Sequence, residues 1–515
     1  MSVRPLLTAS TCVLSILALS GTGLVTSACR SATAPVNAAK KAEPAGGADG
    51  PGQPGKPAPA GDRKPLTLKP IADGPIVVGS RLRATADGLP PDQTVDIAWE
   101  TVSGEWQVEN YYRFKGKKYS ETTLAVGQAR TDASGHLATE IVVPEDFGGV
   151  HNIVVQAGEA AVAQGGVEVA PSFELVPAQG PVGTPVEVRV KGLGWRTMDS
   201  TYVVSWDNAE VGWLSAVSTK GTAVARFRAS GGPGAHPVKL YTGWTGHSYL
   251  NYTQAPNAYL PRPEFLFTVT AGGAPKTAYV EPYTLQPVPA KDATLPGTAS
   301  LSPTQGPVQT RATLTASGLP ANASIRLVWQ TQAGSRVTES GFGALENEFG
   351  TATVDAKGGL SMPVTIPDDL GGLHALELRQ AEKVLAVAHF TIETSIVSIE
   401  PTSGPPGTPV TVHLKGVGWT DYDNIYVATY DNTYMGYACG FNSQGDVTLT
   451  FAAAGAPGVH LIDFYPGIYQ GPENGQQVYR LPQLSYAQDH PGNKIPALRF
   501  AFTVTGPVVL RSAAP

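Results

Sequence analysis

The stretch that decides the fold is Pro401-Thr-Ser-Gly-Pro-Pro-Gly-Thr-Pro-Val-Thr-Val-His-Leu-Lys-Gly-Val-Gly-Trp419. It opens with a turn, because proline restricts φ and glycine accepts positive φ. Val410, Val412 and Leu414 then alternate with polar residues, and this period of two is typical of a half-buried β-strand. The stretch therefore predicts a turn followed by a strand with one face in a core.

The same stretch occurs a second time in the chain. Gly180-Pro-Val-Gly-Thr-Pro-Val-Glu-Val-Arg-Val-Lys-Gly-Leu-Gly-Trp195 matches it, 224 positions earlier. Other segments repeat as well: Asp87-Gly-Leu-Pro90 matches Ser317-Gly-Leu-Pro320, and the segment 144–151 matches the segment 367–374. The chain therefore has the order A-B-linker-A′-B′, in which one pair of units is duplicated.

The repeated units predict the fold class and the domain boundaries. Each unit holds short strand-like segments between frequent turn signals, which predicts an all-β protein of four tandem immunoglobulin-like β-sandwiches arranged as a duplicated two-domain unit. We expect these domains to form a rod. The predicted segments are a signal peptide at 1–28, a disordered Pro/Ala/Gly/Lys tether at 29–68, domain A at 69–170, domain B at 171–271, a Pro-rich linker at 272–298, domain A′ at 299–393, domain B′ at 394–506 and a C-terminal tail at 507–515.

Two resemblances support this division. The stretch 401–419 resembles the opening of IPT/TIG domains, which implies that units B and B′ are IPT/TIG-like. Units A and A′ resemble the bacterial immunoglobulin-like repeats of secreted surface proteins. Both resemblances imply a fold, while the same architecture serves many functions in different proteins.

The N-terminus predicts export. Arg4 precedes an apolar run from Leu6 to Val25, which is typical of a signal peptide. The run ends in Thr26-Ser-Ala-Cys29, which resembles the lipobox of bacterial lipoproteins and implies cleavage before Cys29 and lipid attachment to it. Lipoboxes favour an aliphatic residue where Thr26 stands, so an ordinary secretory signal and a secreted protein form the alternative. The primary expectation is a lipid-anchored protein of the cell envelope, exposed outside the cytoplasm.

Charge and motifs restrict the function classes. The formal net charge is −6, which offers no basic surface for nucleic acid. No segment has the spacing of a zinc site, a phosphate-binding loop or a nucleophile elbow. We therefore predict no enzymatic activity, no cofactor and no metal site, and leave open a calcium site near Asp421 and Asp423. A cell-envelope hydrolase is the least favoured alternative.

Four histidines recur at one place in the repeats, each two residues after a glycine and directly before a strand. They are His151, His236, His374 and His460. Metal binding or proton transfer is one interpretation of such a set. None of the four has a second histidine at ligand spacing, so we predict that each one hydrogen-bonds a turn at a strand entry.

The candidate binding residues lie in two long loops, one from Thr242 to Arg262 and one from Pro466 to Pro491. Long loops rich in aromatic and amide side chains are typical of adaptable recognition surfaces. We predict contact with a cell-surface or extracellular protein or glycan through Trp244, Tyr249, Tyr252, Tyr259, Tyr469, Tyr479 and Tyr486. The alternative is that these aromatic side chains cover a sandwich end or pack between domains, in a structural spacer or assembly subunit of the envelope that has no ligand.

Overall fold

Strands dominate the part of the chain that the structure describes. A computed structural model of the protein describes residues 63–506 except 111, 244–246, 284–286, 291, 335–341, 441–442, 470–480 and 493–494. The signal peptide, Cys29, Trp244 and Tyr479 lie outside these residues. No helix among the described residues has the length and hydropathy needed to span a membrane. The all-β prediction is confirmed.

The first sandwich pairs a five-stranded sheet with a three-stranded sheet. Their orders are β1-β8-β7-β4-β5 and β2-β3-β6. Trp99, Ile153 and Leu82 come from both sheets and meet in one buried core. The strands are β1 (Lys64–Pro65), β2 (Thr67–Pro70), β3 (Arg81–Ala86), β4 (Thr94–Glu109), β5 (Arg113–Arg130), β6 (Leu137–Val142), β7 (Gly149–Ala157) and β8 (Ala160–Val169).

The second sandwich repeats this plan with the orders β10-β16-β15-β12-β13 and β14-β11-β9. Its core includes Trp206, Phe227 and Phe267. Its strands are β9 (Ser172–Val176), β10 (Gln179–Pro181), β11 (Pro185–Lys191), β12 (Tyr202–Trp206), β13 (Ala209–Leu214), β14 (Ala223–Arg228), β15 (Gly234–Thr242) and β16 (Glu264–Thr270), with a 3-10 helix at Tyr252–Gln254. The next strand, β17 (Ala278–Val280), belongs to the fourth sandwich.

The third sandwich has the sheet orders β19-β25-β24-β21-β22 and β18-β20-β23. Trp329, Leu376 and Phe390 lie in its core. Its strands are β18 (Thr298–Ser302), β19 (Gln305–Gly306), β20 (Arg311–Ser317), β21 (Ser324–Gly334), β22 (Phe342–Thr353), β23 (Leu360–Thr365), β24 (Gly372–Gln380) and β25 (Lys383–Ile392).

The fourth sandwich contains the stretch that opened the sequence analysis. Its sheets have the orders β17-β33-β32-β29-β30, with β27 also on β33, and β26-β28-β31. Val410, Val412 and Leu414 of β28 are fully buried, so the predicted half-buried strand is confirmed. Its strands after β17 are β26 (Ser395–Glu400), β27 (Ser403–Gly404), β28 (Pro409–Lys415), β29 (Ile425–Tyr430), β30 (Thr433–Cys439), β31 (Val447–Ala452), β32 (Gly458–Gly467) and β33 (Leu498–Val504).

The pairing of the strands has the arrangement of immunoglobulin-like sandwiches. In each sandwich one short early strand pairs in parallel with the last strand of the larger sheet, as β10 does with β16. The other pairs are antiparallel, and several of them join non-consecutive strands, such as β4 with β7 and β3 with β6, which gives the crossed connections of a Greek key. The described residues between 63 and 506 all fall in one compact unit, so the division into four independent domains stays a prediction.

Two predicted boundaries differ from the structure. Strands begin at Lys64, inside the predicted tether, because Leu66 is buried in the first core. The predicted linker contains β17, which pairs with β33 and so contributes a strand to the fourth sandwich. Both segments are Pro-rich, and proline is tolerated in short edge strands because these need few backbone donors.

One hairpin extends far beyond its sandwich. Strands β4 and β5 pair from Thr94 to Glu109, but only Asp96–Trp99 also pair with β7. The remainder, residues 100–123, is a two-stranded projection that we call the arm. It reaches the fourth sandwich, where the amide of Asp421 donates to the carbonyl of Tyr112 at 2.8 Å. The expectation of a rod is therefore wrong, because a rod would allow contacts only between successive domains.

Candidate functional site

Three of the predicted binding residues are exposed on the same loop. They lie in the loop between β15 and β16, residues 243–263, which we call the first loop. Tyr249 is 38% exposed, Tyr252 45% and Tyr259 64%, and Leu250 beside them is 73% exposed. We call these four residues the tyrosine surface. Large apolar side chains are usually buried, so a group of them on one loop marks a candidate interaction site.

The first loop is held to its sandwich at several points. The carboxylate of Glu210 on β13 accepts a hydrogen bond from the amide of Ser248 at 2.6 Å. The amide side chain of Asn257 is buried and donates to the carbonyl of Met198 at 3.3 Å. The hydroxyl of Tyr202 donates to the carbonyl of Pro261 at 3.1 Å. These contacts fix the loop while leaving the tyrosine rings outside the core.

Arg262 packs against one ring of the tyrosine surface. Its guanidinium carbon lies 3.8 Å from the ring centroid of Tyr252, which is a cation–π contact. The guanidinium nitrogens are enclosed and make no hydrogen bond to any described residue. Burial lowers the pKa of Arg262, although the group stays charged at neutral pH. The stacked guanidinium thus restricts the orientation of the Tyr252 ring.

The second loop, residues 468–497 between β32 and β33, has a different environment. Tyr486 is 2% exposed and packs in the core of the second sandwich. Its hydroxyl donates to Glu281 at 2.5 Å. Tyr486 is therefore corrected from a candidate binding residue to a core residue, because the loop lies against the second sandwich. Tyr469 is half-buried, and its amide donates to the carbonyl of Asp421 at 2.6 Å.

The second loop adds backbone pairing to the free edge of β13. The amide of Trp213 donates to the carbonyl of Pro482 at 2.8 Å, and the amide of Leu484 donates to the carbonyl of Trp213 at 2.7 Å. The indole nitrogen of Trp213 also donates to the carbonyl of Leu481 at 3.1 Å. An edge strand has unpaired backbone groups, and here the fourth sandwich supplies their partners.

A single buried carboxylate joins the first, second and fourth sandwiches. Asp489 of the second loop is fully buried. It accepts hydrogen bonds from the indole of Trp106 in the arm at 2.9 Å and from the hydroxyl of Ser215 at 2.6 Å. It also accepts from the amides of Val217 and Ser218 at 2.9 and 2.8 Å, and from the Ser218 hydroxyl at 2.7 Å. Five donors compensate the loss of hydration that burial of this carboxylate entails.

A second buried cluster of charges holds the second and fourth sandwiches together. Arg228 of β14 contacts Asp463 of β32 at 2.5 Å. Arg499 of β33 contacts Glu281 at 2.6 Å and Asp463 at 3.4 Å. The arginines and Asp463 are buried, and the signs alternate through the cluster. Such pairing is the condition under which charges are tolerated in a protein interior.

The arm carries a lysine with a shifted pKa. The ammonium nitrogen of Lys117 donates to the hydroxyl of Thr201 at 2.9 Å and lies 5.7 Å from the ring centroid of Trp106. Burial lowers the pKa of Lys117 to about 8, and the carboxylates of Asp489 and Asp199 oppose this shift. The arm therefore brings a cation into a desolvated contact with the second sandwich.

The four repeated histidines make structural contacts. In each, Nε2 lies 2.8 or 2.9 Å from the carbonyl of the residue four positions earlier. The ring packs on an aromatic side chain, as His374 does on Trp329 at 4.9 Å and His236 on Trp206 at 5.2 Å. The interpretation of these histidines as turn-binding residues is confirmed.

The two aspartates near the open calcium question accept backbone hydrogen bonds. Asp421 Oδ2 accepts from the amide of Phe114 at 2.8 Å, and Asp423 Oδ1 accepts from the amide of Thr420 at 2.7 Å. Within the described part of the chain, no group of three or more His, Cys, Asp or Glu side chains is arranged to hold a metal ion. Asp421 thus fastens the tip of the arm to the fourth sandwich.

The arm and Asp489 were missing from the sequence predictions. The available signal was the greater length of unit A between Trp99 and Gln128, together with its aromatic and basic residues. That excess indicates a longer connection in unit A, but it does not indicate what the connection contacts. No local sequence pattern identifies Asp489 as a contact between sandwiches, since its donors lie more than 270 positions earlier in the chain.

Comparisons with known proteins leave the family of this chain undefined. No family model matches it, and no curated protein matches it. Solved structures that align with it include native Escherichia coli alpha-2-macroglobulin (10% identity, 85% of this chain and 31% of that chain, TM-score 0.16) and the plexin A4 extracellular region (12% identity, 80% and 35%, TM-score 0.13).

A third aligned structure is a Corynebacterium diphtheriae protein named as membrane anchored, with 10% identity over 63% of this chain and 91% of that chain, and a TM-score of 0.16. The chain spans about a third of the first two proteins. At these identities and TM-scores the three structures support no conclusion about the function of this chain.

Proposed function

We propose that this chain is an exported protein of the cell envelope that binds an extracellular protein or glycan through the tyrosine surface. The observation that carries the proposal is the exposure of Tyr249, Tyr252 and Tyr259 on a loop that is fixed at both ends. Tyrosine offers a large contact area and a hydroxyl at a low cost in side-chain entropy. A fixed loop also loses little freedom on binding, which favours affinity.

Binding by the tyrosine surface is tested by removing its two most exposed rings. Purified full-length protein with Tyr252→Ala and Tyr259→Ala should bind at least about tenfold more weakly to intact cells that lack the endogenous protein, because a few aromatic side chains carry most of an interface's affinity. Tyr437→Ala is the matched control, since Tyr437 is 44% exposed on β30 and does not belong to the first loop. Equal binding by the double variant and the control would contradict the proposal.

The proposed membrane attachment depends on Cys29. The support is the apolar run and the Thr26-Ser-Ala-Cys29 motif, with a Pro-rich tether after it that would hold the folded part away from the bilayer. Cys29→Ser should release the protein from the membrane fraction into the medium. Cys439→Ser, which changes the half-buried cysteine of β30, should leave the protein in the membrane fraction. Retention of the Cys29 variant would contradict lipid anchoring.

A purely structural role is the second candidate, and the buried contacts of Asp489 with the first and second sandwiches favour it. A subunit that only spaces other components needs rigidity, and the buried contacts of Asp489 and Arg499 supply it. In that case the tyrosine variants would leave cell binding unchanged. In both roles we propose that the chain has no enzymatic activity. Turnover of any substrate in activity profiling on cell-wall glycans and peptides would contradict that part.

A further inference from the structure

A cavity of about 400 Å³ lies where the first, third and fourth sandwiches meet. The tip of the arm supplies Asn110 and Tyr112, the third sandwich supplies Gln330, Gln332 and His389, and the fourth supplies Trp419. Its volume falls in the range of small-molecule sites, which are about 300–1,000 Å³. Ligand sites also occur preferentially where domains meet. The tyrosine surface contributes no side chain to this cavity.

The polar side chains around the cavity have unused hydrogen-bonding capacity. Asn110, Gln332 and His389 make no side-chain hydrogen bond to any described residue, although all three line the same space. Burial lowers the pKa of His389, so its neutral ring offers one donor and one acceptor nitrogen. Gln330 donates its amide nitrogen to Glu346 at 3.0 Å, which leaves acceptor capacity on its oxygen. Polar groups of this kind provide orientation and specificity in a binding site.

One wall of the cavity is aromatic. The rings of Tyr112 and Trp419 lie 5.3 Å apart, tilted by 36°, and both border the cavity. Aromatic rings in contact bury a large apolar area and hold each other in place. The wall therefore offers an apolar aromatic face in the same cavity as the amide and imidazole groups.

The cavity lining carries no charge among the described residues: it contains no carboxylate, ammonium or guanidinium group. Glu346 accepts a hydrogen bond from the side-chain amide of Gln330. Its carboxylate forms an ion pair with the guanidinium of Arg379 at 2.6 Å. A charged ligand would lose its hydration without gaining an opposite charge. The described lining residues therefore offer no opposite charge to an ionic ligand.

We propose that this cavity binds a neutral, hydroxyl-rich ligand of the size of a mono- or disaccharide. Amide and imidazole groups would exchange hydrogen bonds with the hydroxyls, and the Tyr112–Trp419 wall would contact an apolar sugar face. The proposal is independent of the tyrosine surface, because the two sites share no residue. A ligand here would touch three sandwiches and would stabilise their contacts at the tip of the arm.

The test uses an array of neutral, sialylated and sulfated oligosaccharides as the probe, with purified full-length protein. Neutral sugars should be retained, and titration calorimetry with a retained sugar should give its Kd. Gln332→Leu and His389→Leu should each raise the Kd about 2- to 10-fold, the effect of one lost hydrogen bond. Ala375→Phe should abolish binding, because Ala375 lines the cavity and the added ring would fill it.

Gln380→Leu is the matched control for these variants. Gln380 lies at the exposed end of β24, makes no side-chain hydrogen bond to a described residue and does not line the cavity. Its Kd should equal that of the parent protein. Failure to retain any neutral sugar, preference for charged glycans, or an unchanged Kd for Ala375→Phe would overturn the proposal. Loss of retention in Tyr252→Ala/Tyr259→Ala would also overturn it, because that result would assign the sugar to the tyrosine surface.

Discussion

The first and second loops precede the last strands of the two B units, yet their surroundings are opposite. Most described residues of the first loop are exposed, and Tyr259 is 64% accessible. Most of residues 481–491 in the second loop are buried, and Tyr486 is 2% accessible. Both loops are long and rich in tyrosine. Amino-acid composition therefore does not distinguish an exposed recognition loop from a loop that packs between sandwiches. The same tyrosine side chains serve in both, and their burial depends on which surface of the folded chain lies next to them.

The contrast between the loops extends to the edge strands β13 of the second sandwich and β30 of the fourth sandwich. The second loop pairs with β13 of the second sandwich. The corresponding edge strand of the fourth sandwich, β30, keeps Tyr434, Met435 and Tyr437 partly exposed. The fourth sandwich thus uses its second loop to add backbone pairing to the second sandwich. The following substitutions test this contrast, in order of decreasing expected effect.

Asp489→Ala should produce the largest loss of stability. It would leave the buried donors of Ser215, Val217 and Trp106 without their acceptor. Buried donors without partners cost about 1–3 kcal/mol each, so we expect the free energy of unfolding to fall by about 3 kcal/mol or more. Equilibrium urea denaturation of the full-length protein measures this change. A decrease of less than about 1 kcal/mol in the free energy of unfolding would show that the second loop does not hold the sandwiches together.

Tyr486→Phe and Tyr252→Phe form a matched pair that removes one hydroxyl from each loop. The Tyr486 hydroxyl is buried and donates to the partly buried Glu281, whereas Tyr252 lies at the surface. We expect a loss of about 1–2 kcal/mol for Tyr486→Phe, since hydrogen bonds to charged groups contribute about that much. Tyr252→Phe should change stability by less than about 0.5 kcal/mol. Equal effects in thermal denaturation would remove the contrast between the loops.

Lys117 should give the contact between the arm and the second sandwich a pH dependence. Its pKa is lowered to about 8 by burial, from 10.5. Between these values the unfolded chain holds a proton that the folded chain has released, so stability due to this group rises with pH from about 8 to 10.5. Lys117→Met should remove that slope. Lys118→Met, at the exposed neighbouring position, should retain it in urea denaturation across the same pH range.

Tyr259→Ala should have the smallest effect on stability. Its side chain is mostly exposed and the first loop is held by Glu210, Asn257 and Tyr202. Surface substitutions of this kind change the free energy of unfolding by about 0.5 kcal/mol or less. A loss of more than about 2 kcal/mol in calorimetry would show that Tyr259 packs in the folded protein and would remove it from the tyrosine surface.

The candidate site was predictable in part. Tyr249, Tyr252 and Tyr259 were expected at a surface, and the structure exposes them. Tyr486 was expected there too, and it is in a core, because its neighbours in space come from β14, β33 and Glu281. Trp244 and Tyr479 stay predictions, as do lipid attachment at Cys29 and the nature of the partner. Sequence patterns report on local conformation, while burial of a loop depends on residues more than 200 positions away.

The amino-acid sequence by itself determined the strands, turns and repeat of this protein. Alternation at Val410, Val412 and Leu414 and the turn before them are local, because a strand's face and a turn's φ angles depend on neighbouring residues. Tertiary structure alone decided that the arm reaches Asp421, that Asp489 joins three sandwiches, and that a neutral cavity forms beside Trp419. These contacts join residues hundreds of positions apart, and no local pattern encodes which distant surfaces will meet.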